Sequence, residues 1–179
     1  MKTRLSYFLF LIPLFGGCNL LEDATTITIS TEFNADIPVV AALSGSKSMD
    51  QTAFASTVSF SKTQDLTLAS NADIEEYLSR IKDINLNSLL VTVSGLTGSK
   101  TINTVSLDVA GVGNIFTRTN ITMENNSFTP EISAGTFDLV AAKLVKDQKI
   151  TLTVSGTTSE AMTFTVSLSF DGEVIAKVL

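Results

Sequence analysis

The sequence predicts a mainly β protein, an antiparallel β-sandwich with two short helices, and three observations point that way. Apolar residues recur at every second position in several runs, with Ser and Thr filling the positions between them. A strand with one dry and one wet face suits an antiparallel sheet, because central parallel strands are apolar on both faces. Clusters of Gly, Ser, Asn and Asp separate the runs as turns would. A block of about forty residues also recurs 61 positions later in the same order of helix, strand, turn and strand.

The first strand is expected over residues 25–33, where Ile27, Ile29, Thr31 and Phe33 share one face. Residues 44–51, rich in Ser, Gly, Lys and Asp, read as a loop. Strand-like runs follow at 53–60 and 65–68. The period then changes: Ile74, Tyr77, Leu78 and Ile81 lie at i, i+3, i+4 and i+7, with Ser70 and Asp73 spaced as a capping box. That predicts an amphipathic helix of about three turns. Leu89, Val91 and Val93 then alternate into Ser94-Gly95, and Val105, Leu107 and Val109 alternate into Gly111. Phe137, Val140, Ala141 and Leu144 supply a second helix, introduced after Pro130 and ended near Lys146-Asp147. The cleanest strand is Met162, Phe164, Val166, Leu168 and Phe170, with Thr163, Thr165, Ser167 and Ser169 on the other face.

The recurrence is ungapped: Val91-Thr-Val-Ser-Gly95 overlays Leu152-Thr-Val-Ser-Gly156, and Thr104-Val-Ser-Leu107 overlays Thr165-Val-Ser-Leu168. Over residues 72–111 there are 12 identities in 40 positions. Two copies are too few for a solenoid, so the expectation is a pseudo-symmetric single domain with halves of about 54–111 and 115–172. Each half would hold a pair of strands, a helix and a second pair.

The amino terminus is organised differently. Lys2 and Arg4 precede an apolar run over residues 5–15 and then Gly16-Gly17-Cys18, the one cysteine of the chain. The run is too short for a membrane-spanning helix of about 20 residues and has the layout of an export signal. This stretch resembles a bacterial lipoprotein signal, with Gly16 and Gly17 as the small residues of a lipobox, of the looser kind found in Bacteroidota-type lipoproteins. Phe15 stands where that family prefers Leu. The resemblance covers residues 1–23 and implies lipid transfer to Cys18, cleavage before it, and an acylated amino terminus. It also implies that Asn19, which is not Asp, gives no signal for inner-membrane retention, so the expected location is the outer membrane, with the leaflet open. The resulting division is a cleaved signal at 1–17, lipidated Cys18 with a tether at 18–24, and one β-sandwich domain at 25–179.

Composition then removes function classes. Without residues 1–17 the chain has 10 basic and 18 acidic residues, a net charge of −8. That balance opposes nucleic acid, which demands a Lys/Arg surface. It equally opposes a polybasic hold on anionic lipid, so membrane attachment falls to the acyl chains on Cys18. With Cys18 consumed by lipid, no disulfide forms within the chain, and packing must hold the fold. His and Trp are absent and Tyr77 is the one tyrosine of the mature chain. Ser-His-Asp and Cys-His nucleophile systems, imidazole metal sites and most aromatic platforms for sugars or bases are thereby excluded.

The remaining motifs are thin. Ser44/Lys47, Ser59/Lys62 and Ser79/Lys82 match the S-x-x-K of penicillin-recognising enzymes, but the companion S-D-N and K-T-G motifs are missing. Asp83-Ile-Asn85-Leu-Asn87 starts like a calcium loop, yet Ser88 replaces its glycine and Ser94 its closing Glu, and Ile84 and Leu86 interleave as core residues. Gly111-x-Gly113 has Phe116 where a dinucleotide turn needs its third glycine and reads as a connection. Asn120-x-Thr122 and Asn125-x-Ser127 read as turn residues. No catalytic residue, metal site or cofactor is expected. The function read from the sequence is a lipid-anchored envelope protein, a non-enzymatic binding or structural module with a protein or glycan partner. Its alternatives are a carrier with an apolar cavity between the sheets and a carboxylate-dependent hydrolase.

Overall fold

The computed structural model describes residues 25–42 and 57–178. The signal, Cys18 with its tether, and the loop expected at 44–51 lie outside the described residues, as do residues 53–56 of the second predicted strand. Among the described residues eight strands run in chain order: β1 (Thr26–Ala41), β2 (Val58–Thr67), β3 (Ile81–Ser94), β4 (Ile102–Val109), β5 (Gly113–Ile121), β6 (Ser127–Phe128), β7 (Lys149–Thr158) and β8 (Met162–Lys177). An α-helix, α1 (Ala134–Asp147), precedes β7, and two 3-10 turns, Leu68–Ser70 and Glu75–Arg80, join β2 to β3.

The strands form two four-stranded antiparallel sheets, ordered β1-β8-β3-β6 (sheet A) and β2-β7-β4-β5 (sheet B). This is the predicted β-sandwich. Inward positions alternate with outward ones along β1 and β8, and the inward residues of both sheets form one hydrophobic core. Phe33, Ile37, Leu89, Leu107, Ile121, Phe164 and Phe170 are fully buried in it. An edge-to-face aromatic pair joins the sheets on each side: Phe60 with Phe164, and Phe116 with Phe128. The helix packs on β3 and β7 through Phe137, Val140, Ala141 and Leu144, the four residues its periodicity singles out. Ser133 caps its first turn by accepting from the Thr136 amide, as an N-cap hydroxyl does. Gln148 closes the other end in the left-handed conformation and accepts from the Leu68 amide, tying the helix to the β2–β3 connection.

Three sequence expectations are corrected. The first strand does not end at Phe33 but continues to Ala41 through Pro38, which an edge strand tolerates because it has one unpaired side. Residues 58–67 form one strand where two had been expected. The three-turn helix through Ile74 and Ile81 is a 3-10 turn of six residues, Glu75–Arg80, after which Ile81 already belongs to β3. Pairing along β8 wins over helical period there, while Ile74 stays fully buried and Leu78 and Ile81 still pack on the core. The capping box is absent as well: Ser70 bonds the Thr67 carbonyl, and Asp73 accepts from Thr31.

The pseudo-repeat survives in strand order. Adding 61 carries residues 88–94 of β3 onto β7 and β4 onto β8, but it carries residues 81–86 of β3 onto α1; the central pairs of the two sheets are β8-β3 and β4-β7. It does not survive in detail. Val93 faces Val166, whereas its copy Val154 faces Leu107 instead of Val105, a slip of two residues that leaves the same side chains inward. The helical parts are not equivalent, since Leu139, the counterpart of half-buried Leu78, is exposed.

Candidate functional site

Among the described residues, those singled out by motif do not assemble into a reactive centre. Cys18, Ser44 and Lys47 lie outside the described residues. Ser59 and Lys62 both lie on β2, where residues three apart point to opposite faces, so the hydroxyl and the amine are separated by the sheet. Ser79 and Lys82 fall on either side of the junction between the 3-10 turn and β3, both exposed. Asp83, Asn85 and Asn87 line an extended strand with Ile84 and Leu86 buried between them. Same-face residues of a strand are about 6.6 Å apart, too far to wrap one ion. Among the described residues no group of three or more His, Cys, Asp or Glu could hold a metal. Gly111 and Gly113, at φ of 81° and 107°, form the β4–β5 hairpin turn. Asn125 shapes the next turn by accepting from the Thr122 amide at 2.7 Å and donating to the Asn120 carbonyl at 3.0 Å.

Among the described residues two carboxylates have shifted proton affinity, and both are shifted down. The Thr151 hydroxyl, helped by the Lys149 ammonium, holds Asp65 below the ordinary aspartate range. Lys143 does the same to Asp147. A general acid of a glycosidase needs the opposite shift. The Tyr77 phenol is pushed up, chiefly by its hydrogen bond with Glu76.

Several clefts open at the rim. One, of about 240 Å³, lies between β1 and the β2–β3 connection and is walled by Glu32, Asn34, Ser70, Asn71 and Asp73 over Phe33 and Leu66. Its wall is braced: Asn71 donates to the Thr31 hydroxyl and to the Glu32 carbonyl, and Thr31 donates to Asp73. Another, of about 440 Å³, lies between Asn87-Ser88 and the 129–133 segment that leads into α1, with Phe137 at its base. On the other side of that segment the Arg118 guanidinium sits 4.8 Å over the Phe128 ring.

The two outer faces carry the most regular chemistry. On sheet A, Glu32, Asp36 and Asp171 accept hydrogen bonds from Ser169, Ser167 and Asn87 respectively, and Glu173 lies on the same face beside Ser30 and Asn85. Neither of the two ion pairs found among the described residues lies on this face. Sheet B presents hydroxyls in register across all four strands. Ser59, Thr157, Thr104 and Thr119 make one such row. Ser61, Ser155, Ser106 and Thr117 make the next. A third begins with Thr63 and Thr153 and ends on Asp108. Cross-strand bonds link Ser106 to Thr117 at 2.9 Å and Thr63 to Thr153 at 3.1 Å. The alternation of Ser and Thr is visible within each strand, but the rows depend on register between strands distant in sequence, which no local pattern carries.

No family model matches the chain, and no curated relative matches it. Among solved structures it is similar to a chain described as Desmodium yellow mottle tymovirus, at 13% identity and a TM-score of 0.35, covering 99% of this chain and 98% of that one. A likeness at that TM-score carries no argument.

Proposed function

We propose that this protein is a lipid-anchored component of the bacterial envelope, held in the outer membrane by acyl chains on Cys18, whose sandwich serves as a non-enzymatic binding or structural module. The observation that carries this reading is the order of Lys2 and Arg4, the apolar run at 5–15, and Gly16-Gly17-Cys18. An anchor of this kind needs no further span, and none of the described helices is long and apolar enough to cross a membrane, which is compatible with the anchor without bearing on it.

The packing between the sheets supports a binding role over a carrier. A carrier needs room between its sheets, whereas the space between these sheets is occupied by fully buried Phe33, Leu89, Leu107, Phe164 and Phe170. For the hydrolase, Asp65 and Asp147 are both held below the ordinary aspartate range by their neighbours, so neither has the raised proton affinity of a general acid. What the fold offers is rigid, strand-borne surface, suited to a protein or glycan partner.

The anchor is tested by intact mass measurement on protein recovered from membranes. A mass equal to residues 18–179 plus acyl chains is expected. An unmodified mass, or a Cys18→Ala variant that stays in the membrane fraction at high salt, would overturn the reading.

A further inference from the structure

We propose that Lys62 and Arg118 guard the two edges of sheet B against strand addition by a second copy of this chain. Sheet B ends on β2 and on β5, and among the described residues no strand pairs on the far side of either. Such an edge presents unpaired N–H and C=O groups to any extended chain.

The guard is a charge on the inward row. Along β2 the core side is formed by Val58, Phe60 and Leu66, while Lys62 takes the inward position opposite buried Val154. Along β5, Phe116 is buried opposite Leu107, and Arg118 takes the inward position opposite fully buried Val105. Core-facing parity calls for an apolar residue at both places. The sequence supplies a cation at each, and both residues remain exposed.

A strand added to either edge would set its own inward side chains about 4.5–5.5 Å from the cation, between it and water. A charge taken out of water needs a partner. The two edges offer none to each other, because Asp65 is the one carboxylate on either strand, faces outward, and is already held by Thr151 and Lys149. Any pairing of two such edges therefore brings two cations onto one inward row. Glu131 borders the cleft of about 350 Å³ beside Arg118 but forms no ion pair with it, and the guanidinium lies over the Phe128 ring instead.

Sheet A closes its edges by other means. On β1, Pro38 lacks an N–H, and the Glu32 carbonyl accepts from the Asn71 side chain at 3.0 Å. Beyond β3 lie β6 and α1. Copies crowded together thus keep their sheets separate, which leaves the outer faces free for a different partner.

The test is the particle mass of the full chain in a nonionic detergent, measured by analytical ultracentrifugation. The parent should carry one chain per particle. Lys62→Val/Arg118→Val should associate, raising the mean protein mass at least about twofold at the same concentration, with added hydrogen-exchange protection in β2 and β5. Lys62→Glu/Arg118→Glu should stay single, because a carboxylate on the inward row is as costly to bury as a cation. Lys100→Val/Lys146→Val removes two charges away from both edges and should also stay single. Circular dichroism checks that each variant is folded. Should loss of the Arg118 contact with Phe128 prevent folding, Lys62→Val alone decides, since Lys62 has no ion pair or ring contact among the described residues; it should form dimers through β2. An associating parent, a folded valine variant that stays single, or equal association by the Glu or Lys100/Lys146 pair would overturn the proposal. None of these outcomes depends on the acyl chains, so the anchor stands or falls separately.

Discussion

The Phe60 ring, from β2 of sheet B, meets the Phe164 ring, from β8 of sheet A, edge-on, with centroids 5.1 Å apart and planes at 82°. The two residues are 7% and 2% exposed, so the contact is internal and ties the sheets together beside the β2 edge. Phe164→Ala removes a buried aromatic and leaves a cavity that the rigid strands close only in part. A loss of about 3–5 kcal/mol in chemical denaturation is expected. In a double-mutant cycle with Phe60→Leu, a coupling of about 0.5–1.5 kcal/mol should remain after both single losses are subtracted. Additive single losses would mean that the ring pair contributes only buried area.

How much of this was legible in the sequence depends on how local the deciding physics is. The helix was readable from Phe137, Val140, Ala141 and Leu144, because its period and its packing face lie within a few turns of one another in the chain. The strand from Met162 onward was readable for the same reason. Ile74, Tyr77, Leu78 and Ile81 misled, since they satisfy a helical spacing while β8 offers Ile81 a strand partner 95 positions away, Ala176. Pro38 hid the second half of β1, because only the position of β1 at a sheet edge makes a proline there harmless. The hydroxyl rows were invisible in principle: Ser61 reaches Ser155 and Ser106 through register alone.

Two glycines should answer oppositely to the same substitution. A Cβ at Gly156 would fall on the Thr104 carbonyl oxygen and near the Phe60 ring, backbone on one side and core on the other. Neither can retreat without disturbing the β4–β7 pairing, so Gly156→Ala should destabilise by roughly 1–3 kcal/mol. A Cβ at Gly135 in α1 meets nothing within 4 Å. There Gly135→Ala should stabilise by about 0.5–1 kcal/mol through helix propensity. Thermal melts of the two variants measured side by side check the contrast.

The connection from β2 to β3 is clasped to β1 through Thr31, which is only 6% exposed. Its hydroxyl accepts from the Asn71 side-chain amide at 2.9 Å and donates to Asp73 at 2.8 Å, while the Asn71 side-chain Oδ1 accepts from the Asp73 backbone amide. Asn71→Ala removes the turn bond and two donations at once, and should cost about 1–2 kcal/mol. The Asp73 amide should lose its protection in hydrogen exchange before the strands do, and unchanged protection there would show the turn is held by other contacts.

Asp65 gives the pH dependence. Its carboxylate accepts from the Thr151 hydroxyl at 2.6 Å and from the Lys149 ammonium at 3.2 Å, and the hydroxyl is the larger influence. Because the folded proton affinity lies below the unfolded one, the stabilisation is fully present above the ordinary aspartate pKa and is lost as pH falls through the folded value. Asp65→Asn should therefore be less stable than the parent at neutral pH, with the gap closing in acid. The group is exposed, so the gap is small, and the sharper measurement is the carboxyl titration followed by NMR. Thr151→Val should move that midpoint up further than Lys149→Gln does. Added salt should weaken the lysine contribution and leave most of the hydroxyl contribution, since screening acts on the ion pair and barely on a short hydrogen bond. A larger upward shift from Lys149→Gln would reverse the order of the two influences and make the site an ion pair first.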